Sequence, residues 1–503
     1  MIGPRCGTLL CLGALCLSAQ DVRDYDKKIT EFTLPNGLHF ILLERHQVPV
    51  VSFHTLVNVG SAEDPVGRTG LAHMVEWLAF KGTDTIGTRN WAAEKNALEE
   101  VEEASTKLDA ERNLGPRASE AKLTTLTVDL KTKLDAARGF ADPDELSRAL
   151  QENGAVGVSS QVNQDFSETS YSLPSNRIEL WFLLESQRLA HPVFRDFYRA
   201  RDAMQVEILN NVDSKPLPKL QQSLLATAFA ANPYRNPVLG WPGDSANLRP
   251  SDARSFVDTY YVPANTVIAI AGDVDPVNAR RLADRYFGPL PAKPLPSRVH
   301  TAEPPQDGPK SVTVWSDGQQ LLMVGYRRPP ETNRDDPAFD VIRTLLGEGR
   351  TGLLYRELVE NKKIAQSVDV TATFPAGRSA NLFVFTVAPA ANHSVEENEQ
   401  ALNALLGRFA VQPLDAASID RAKNELRAKV VRLLGTDSVL ASLLARYYVT
   451  FGDWRKLFAV PADYEHVTAE DVQRVTAQYF VAQNRTVAYM TSRQQVSTSG
   501  GAR

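Results

Sequence analysis

The stretch SDARSFVDTYYVPANTVIA, residues 251–269, occurs a second time in altered form near the end of the chain. It aligns without gaps on EDVQRVTAQYFVAQNRTVA, residues 470–488, and the alignment pairs Tyr260 with Tyr479. Each copy has the pattern of a helix followed by an aromatic pair, a turn and a strand. The repeat therefore predicts two halves that end in the same supersecondary unit.

A proline-rich, polar segment separates the two copies. Residues 291–310 read PAKPLPSRVHTAEPPQDGPK, which is the composition of an exposed linker. A chain of 503 residues is also longer than one hydrophobic core usually serves. We expect an N-terminal lobe over 20–290, a C-terminal lobe over 311–495 and a flexible tail over 496–503.

Strand and helix patterns alternate within the first lobe. Residues 33–60 contain an Asn-Gly turn between runs rich in β-branched and aromatic residues, which predicts strands joined by tight turns. Residues 71–80 have helical spacing of apolar residues and end at a Lys-Gly-Thr stop. The charged, leucine-punctuated stretch 90–138 predicts a helical hairpin that packs on the body as a solvated insertion. The first lobe is therefore expected to contain both strands and helices.

The N-terminus has the pattern of a secretory signal, with one arginine, an apolar run and small residues near position 19. We predict a signal peptide over 1–19 and an exported, periplasmic protein. The only cysteines, Cys6, Cys11 and Cys16, lie inside that segment, so the mature chain has no thiolate ligand to offer a metal. The net charge of -5 and the lack of a long basic run argue against a nucleic-acid partner. No later stretch has the length of a membrane-spanning helix.

The segment GRTGLAHMVEWLAFKGT, residues 67–83, carries the candidate chemistry. On a helix, the pattern His-x-x-Glu-His presents two imidazoles to one metal ion and a carboxylate beside them as general base. In this chain the corresponding residues are His73, Glu76 and Trp77. Indole nitrogen is a hydrogen-bond donor only, so Trp77 cannot coordinate zinc as an imidazole does.

This segment resembles the inverted zinc-binding helix of the insulinase/pitrilysin peptidases, which include the mitochondrial processing peptidase. Residues 170–194, 231–248 and 345–368 are similar to further parts of that family in the same order. RARDAMQVEILNN, residues 199–211, resembles the helix that brings a distant glutamate to the metal, and that match makes Glu207 the third ligand. The resemblance and the repeat together imply an α+β fold, with helices on one face of mostly antiparallel sheets. Its two lobes would form a clamshell around a peptide-binding chamber.

Two positions depart from the family pattern. Trp77 replaces the second histidine, which leaves His73 and Glu207 as vestigial or weak zinc ligands and Glu76 in the position of the general base. Ser159 and Ser160 stand where the family has an Asn-Ala pair on the strand expected to line the substrate. Zinc is therefore expected to bind weakly or not at all.

Each of these residues also has a structural interpretation. His73 is then a hydrogen-bonded structural histidine, and Glu76 and Glu207 are solvated or paired with arginine. Trp77 is then a core or interface aromatic. His54, on a strand shortly before the helix, is a further candidate for the missing ligand, although it would need an unusual backbone approach.

The sequence supports two main hypotheses of function. The first is a non-catalytic subunit that binds unfolded peptide or pairs with an active homologue, because of Trp77 and the two serines. The second is an active zinc endopeptidase with an irregular metal site, in which Glu76 activates water. A scaffold or transport component without peptide binding is a third interpretation, which no motif supports.

Overall fold

The structure is a computed structural model that describes residues 25–491, apart from 26, 299–300 and 317. The predicted signal peptide, the three cysteines and the predicted tail lie outside the described residues. Within the described ranges, no helix has the length and apolar content that crossing a membrane requires.

Six strands of the first half form one sheet. They are β1 (Ile29–Thr33), β2 (His39–Glu44), β3 (Val50–Val57), β4 (Val156–Val162), β5 (Ser167–Pro174) and β6 (Thr266–Gly272). Their order is β1-β2-β6-β3-β5-β4, so β4 is an edge strand. Strands β2 and β6 run parallel, and the other neighbours run antiparallel.

The helices of the first half are α1 (Leu71–Trp77), α2 (Trp91–Arg112), α3 (Glu120–Gly139), α4 (Glu145–Glu152), α5 (Ile178–Ala190), α6 (Phe197–Ile208), α7 (Pro216–Ala228), α8 (Pro242–Ser245), α9 (Pro250–Tyr260) and α10 (Pro276–Tyr286). Polar residues at their starts satisfy free backbone N–H groups, as where Asn90 caps α2 and Asp275 caps α10. Helices α2 and α3 occupy the stretch in which the sequence predicted a hairpin. They pack on the body through Val101, Leu108 and Leu130.

The second half repeats this plan with five strands. They are β7 (Lys310–Trp315), β8 (Leu321–Arg328), β9 (Ala365–Phe374), β10 (Asn381–Pro389) and β11 (Arg485–Thr491), in the order β7-β11-β8-β10-β9. The helices are α11 (Asp336–Gly347), α12 (Val395–Val411), α13 (Ala416–Leu433), α14 (Asp437–Phe451), α15 (Lys456–His466) and α16 (Ala469–Tyr479). The largest hydrophobic core of this half lies between the sheet and α11, α12 and α16.

The two sheets have equivalent strand orders once β1 is set aside, because β2-β6-β3-β5-β4 corresponds to β7-β11-β8-β10-β9. The repeated sequence occupies equivalent places, as α9 with β6 in one half and α16 with β11 in the other. The predicted α+β fold in two lobes is confirmed.

The two halves exchange helices. Helix α7 of the first half packs on the second sheet, where Leu220 and Leu224 share a core with Met323 and Met490. Helix α14 of the second half packs on the first sheet in the same way. There Leu440, Leu444 and Ala445 share a core with residues of β2 and β6 that include Ile41, Leu43 and Ala269. Each sheet therefore has one face covered by a helix from the other half.

A buried polar cluster also joins the halves. The Asp165 carboxylate accepts hydrogen bonds from the Tyr234 hydroxyl at 2.5 Å, the Gly377 backbone at 3.1 Å and the Arg378 backbone at 2.9 Å. The Arg378 guanidinium in turn pairs with Glu63. Because a buried carboxylate is costly without such donors, the cluster fixes how the halves meet.

Candidate functional site

Helix α1 begins at a close crossing of two backbone segments. Gly70 has a φ of 91°, and a Cβ atom added there would lie 2.7 Å from the carbonyl oxygen of Leu239. Gly240 has a φ of 77°, and its added Cβ would lie 2.2 Å from the carbonyl oxygen of Thr69. Only glycine fits this crossing, which sets the position from which α1 starts.

The Asp64 carboxylate fixes the direction of α1. Its two oxygens accept hydrogen bonds from the backbone N–H groups of Gly70 and Ala72, each at 2.8 Å. A carboxylate at this end of a helix satisfies free donors and complements the helix dipole. Leu71, Met74 and Val75 are buried, so His73 and Glu76 lie on the opposite face of α1, where both are partly exposed.

Helix α6 brings Glu207 to the same face of α1. Met204 and Ile208 of α6 pack in the same core as Met74 and Val75 of α1. Directly after α6, residues Leu209–Asp213 form a π-helix. Single π-helical turns are frequent at functional sites, where they change the direction of nearby side chains.

The structure brings together His73, Glu76 and Glu207. The His73 Nδ1 atom lies 3.5 Å from Glu76 Oε2, and the Nε2 atom lies 3.5 Å from Glu207 Oε2. Burial raises the pKa of the Glu76 carboxyl, and the charge of Glu207 acts in the same direction, whereas His73 and the hydroxyl of Ser160 oppose them. An imidazole placed between two carboxylates is thus the centre of the candidate site.

Trp77 follows directly on the same helix, and its side chain is 43% exposed. The interpretation of Trp77 as a core aromatic is therefore wrong. The alternative interpretation, an interface aromatic, stays a prediction. Position 77 is four residues after His73, so the indole shares the helix face of the imidazole.

Ser159 and Ser160 lie on the edge strand β4. The Ser160 hydroxyl lies close enough to Glu76 to lower the pKa of that carboxyl, so β4 borders the candidate site. The Ser159 hydroxyl accepts instead from Gln161 at 3.3 Å. Val156 and Val158 of the same strand are 62% and 46% exposed, and the outer edge of β4 has no neighbouring strand among the described residues.

His54 does not reach the candidate site. It lies on β3 with its side chain on the face of the sheet that α14 covers, where its Nε2 atom is 3.5 Å from Glu168 Oε2. The hypothesis that His54 replaces the missing ligand is therefore wrong. Burial lowers the pKa of His54 to about 4, with the charge of Arg446 in the same direction and that of Glu168 opposed.

Sequence reasoning missed this second cluster. Arg446 of α14 donates two hydrogen bonds to Glu168, at 2.6 Å and 2.8 Å, across a sequence separation of 278 residues. No motif links these positions, because their contact depends on the exchanged helix. Glu168 itself is one of several acidic residues of the first half, and nothing in its sequence neighbourhood distinguishes it.

Two family models match the chain. The model described as Insulinase (Peptidase family M16) matches residues 40–111, which include α1, and the model described as Peptidase M16 inactive domain matches residues 247–426. Together they span half of the chain. The chain belongs to the insulinase/pitrilysin family of peptidases. The words "inactive domain" concern the second match, which contains neither His73 nor Glu207.

Relatives in the M16 family cover nearly the whole chain. The zinc protease PqqE of Helicobacter pylori is 26% identical over 97% of this chain and 98% of its own length. A probable mitochondrial-processing peptidase subunit beta of Arabidopsis thaliana is 22% identical over 89% of this chain and 75% of its own length.

Solved structures of M16 proteins share the fold. A protease from Helicobacter pylori has a TM-score of 0.76 at 22% identity, covering 92% of this chain and 99% of its own. The peptidase M16 inactive domain from Pseudomonas fluorescens has a TM-score of 0.74 at 14% identity, covering 92% of this chain and 98% of its own. At these identities the likeness concerns the fold alone.

The residues present at the candidate site do not fit the zinc centre of M16 proteases. A catalytic zinc takes three protein ligands and a water molecule. Glu76 and Glu207 contact different nitrogens of the His73 imidazole, so only one of these carboxylates can share an ion with that ring. The indole of Trp77 has no lone pair to donate. In the part of the chain that the structure describes, no group of three or more His, Cys, Asp or Glu side chains is arranged to hold a metal ion.

Proposed function

We propose that this M16 protein binds extended or unfolded peptides without cleaving them and acts as the partner of an active homologue. The observation that carries the proposal is Trp77, an aromatic ring that cannot coordinate zinc at the position of the second ligand. A site with only His73 and Glu207 as ligands holds zinc weakly and supplies too little Lewis acidity to activate water.

The edge strand β4 supports the peptide-binding part. Its outer edge offers backbone groups to an added strand, as in other proteins that bind peptides by β-augmentation. Ser160 of this strand lies near the Glu76 carboxyl. A peptide paired with β4 would therefore pass the candidate site, and the chamber of the family would be completed by the partner.

The location of the protein and its division into domains are proposed from the sequence. We propose that residues 1–19 are a signal peptide and that the protein is exported to the periplasm as part of a heterodimer. We also propose that the protein has two domains, 20–290 and 311–495, joined by the linker 291–310.

Zinc binding and cleavage test the proposal together. Calorimetry of the purified protein at micromolar free zinc should detect no stoichiometric binding, and unfolded peptides should stay intact during incubation. Trp77→His restores the His-x-x-Glu-His motif and should recover zinc binding, whereas Trp77→Phe, the matched control, should not. A wild-type protein that cleaves peptides and loses this activity with a chelator would contradict the proposal.

Peptide binding has its own test. An extended peptide should bind in the micromolar range, and the same peptide with methyl groups on alternate backbone nitrogens should bind much more weakly, because it cannot donate to β4. Equal affinities would remove the edge strand from the proposal.

The geometry of the candidate site also supports a second function. His73, Glu76 and Glu207 remain assembled as in an active site, so an active zinc endopeptidase with an irregular centre is the alternative. One bound zinc per wild-type chain, lost in Glu207→Gln, would favour it.

A further inference from the structure

In the part of the chain that the structure describes, His73 is the only basic side chain paired with the two carboxylates of the candidate site. Among the described residues, no lysine or arginine nitrogen lies within 4 Å of the Glu76 or Glu207 carboxylate. Other acidic residues of the first half are paired with arginine, as Glu94 is with Arg195 and Glu185 with Arg188. The cluster thus has two carboxyl groups around a single imidazole, an arrangement that can accept a further positive charge.

The indole of Trp77 limits which cation fits. A metal ion needs lone pairs, which the indole lacks, whereas an organic cation is attracted by the face of the ring, and tryptophan is the strongest of the aromatic residues in this interaction. Trp77 takes part in no aromatic or cation–π pair within the described chain. Its half-exposed ring is therefore open to a ligand.

The edge strand β4 determines what can carry this cation. Side chains of a peptide paired with β4 would alternate between the two faces of the sheet. One set would point toward Ser160 and Glu76, which lie on the side of the candidate site. A long side chain in that set would have Glu76, Glu207 and Trp77 within its reach.

We propose that the position left by the zinc ion in this M16 protein receives the cationic side chain of a bound peptide, an arginine or a lysine, between Glu76, Glu207 and the ring of Trp77. This inference rests on the proposed peptide binding and adds its specificity. The cation takes the electrostatic place of the metal, and it is supplied by the ligand.

Matched peptides test this specificity on the wild-type protein. Acetylated and amidated pentapeptides Ala-Val-X-Val-Ala are compared by calorimetry, with X as arginine, lysine, citrulline or norleucine. Citrulline keeps the shape of arginine without its charge. We expect arginine and lysine peptides to bind about tenfold more tightly than their neutral counterparts, which corresponds to the sum of a cation–π contact and a partly screened charge pair. The preference should weaken at high salt.

Variants test which residues cause the preference for cationic peptides. Trp77→Leu and Glu207→Gln should each reduce the preference for arginine over citrulline. Trp315→Leu is the matched control, because Trp315 is 41% exposed on β7 of the other half. Circular dichroism confirms that each variant is folded.

The outcomes separate this inference from the proposed function. Equal binding of arginine and citrulline peptides would overturn the inference and leave peptide binding intact. Failure of every peptide to bind would overturn both. A charge preference that survives in both Trp77→Leu and Glu207→Gln would place the cation elsewhere and also overturn the inference.

Discussion

The first sheet has a histidine–glutamate cluster on each face, and the two clusters are completed differently. On the face covered by α14, His54 lies beside Glu168, and Arg446 from the other half donates two hydrogen bonds to that carboxylate. On the face toward α1, His73 lies between Glu76 and Glu207 with no lysine or arginine of the described residues in contact.

We interpret the His54 cluster as structural and the His73 cluster as the proposed ligand site. The His54 side chain is 4% exposed and its cluster contains its own cation, so nothing more is needed there. The Glu207 side chain is 35% exposed, and in our proposal a bound ligand supplies the positive charge that balances its cluster. Similar residues would then serve packing in one place and binding in the other.

Removal of the internal cation should give the largest effect. Arg446→Met leaves Glu168, which is 8% exposed, without its partner. We expect a loss of about 3 kcal/mol in the free energy of unfolding, at the low end for a broken buried pair because Arg446 is itself 40% exposed. Urea unfolding measures it.

The matched control is Arg427→Met, since Arg427 forms an exposed pair with Glu465. It should change stability by less than about 0.5 kcal/mol. Equal effects of the two variants would show that the cluster on the covered face is not stabilised by its cation.

His54 should make stability depend on pH. Its folded pKa of about 4 lies below the unfolded value of about 6.5. The unfolded state therefore binds more protons between these values, and stability is lost as the pH falls from about 6.5 toward 4. We expect His54→Leu to remove about 2 kcal/mol of the stability difference between pH 7 and pH 5.

Unfolding curves of wild type and His54→Leu at several pH values measure this difference. His73→Leu, on the open face, is the comparison. An unchanged pH dependence in His54→Leu would contradict burial as the cause.

Glu207→Gln should have the smallest effect on stability, less than about 0.5 kcal/mol. Glu207 is partly exposed and forms no ion pair with a lysine or arginine of the described residues, so its removal changes the free energy of unfolding little. The same variant should lower the pKa of Glu76, since the charge of Glu207 raises it. A carboxyl titration followed by NMR checks the direction. A rise in the pKa of Glu76 would contradict the proximity of the two carboxylates.

Much of the fold could be predicted because it depends on local patterns. The repeat at 251–269 and 470–488 was recognisable from its aromatic pair, and both copies end as a helix and a strand in equivalent places. His73, Glu76 and Glu207 could be paired in advance only through the resemblance to a family, because α1 and α6 are distant in sequence.

The rest depended on long-range packing. Strand β3 is buried on both faces, so alternation of residue types could not indicate to which side His54 points. The exposure of the Trp77 side chain depends on which segments distant in sequence pack near it. The pairing of Glu168 with Arg446 follows from the exchange of α7 and α14, for which short sequence patterns contain no signal.

The exchange of helices has a consequence for how the chain can be divided. A proteolytic cut within the proposed linker 291–310 would sever the chain without separating two independent folding units. The N-terminal fragment would lack α14 and expose Ile41 and Leu43, and the C-terminal fragment would lack α7 and expose Met323. The two pieces would remain associated after cleavage, and separately expressed fragments would need each other to become soluble.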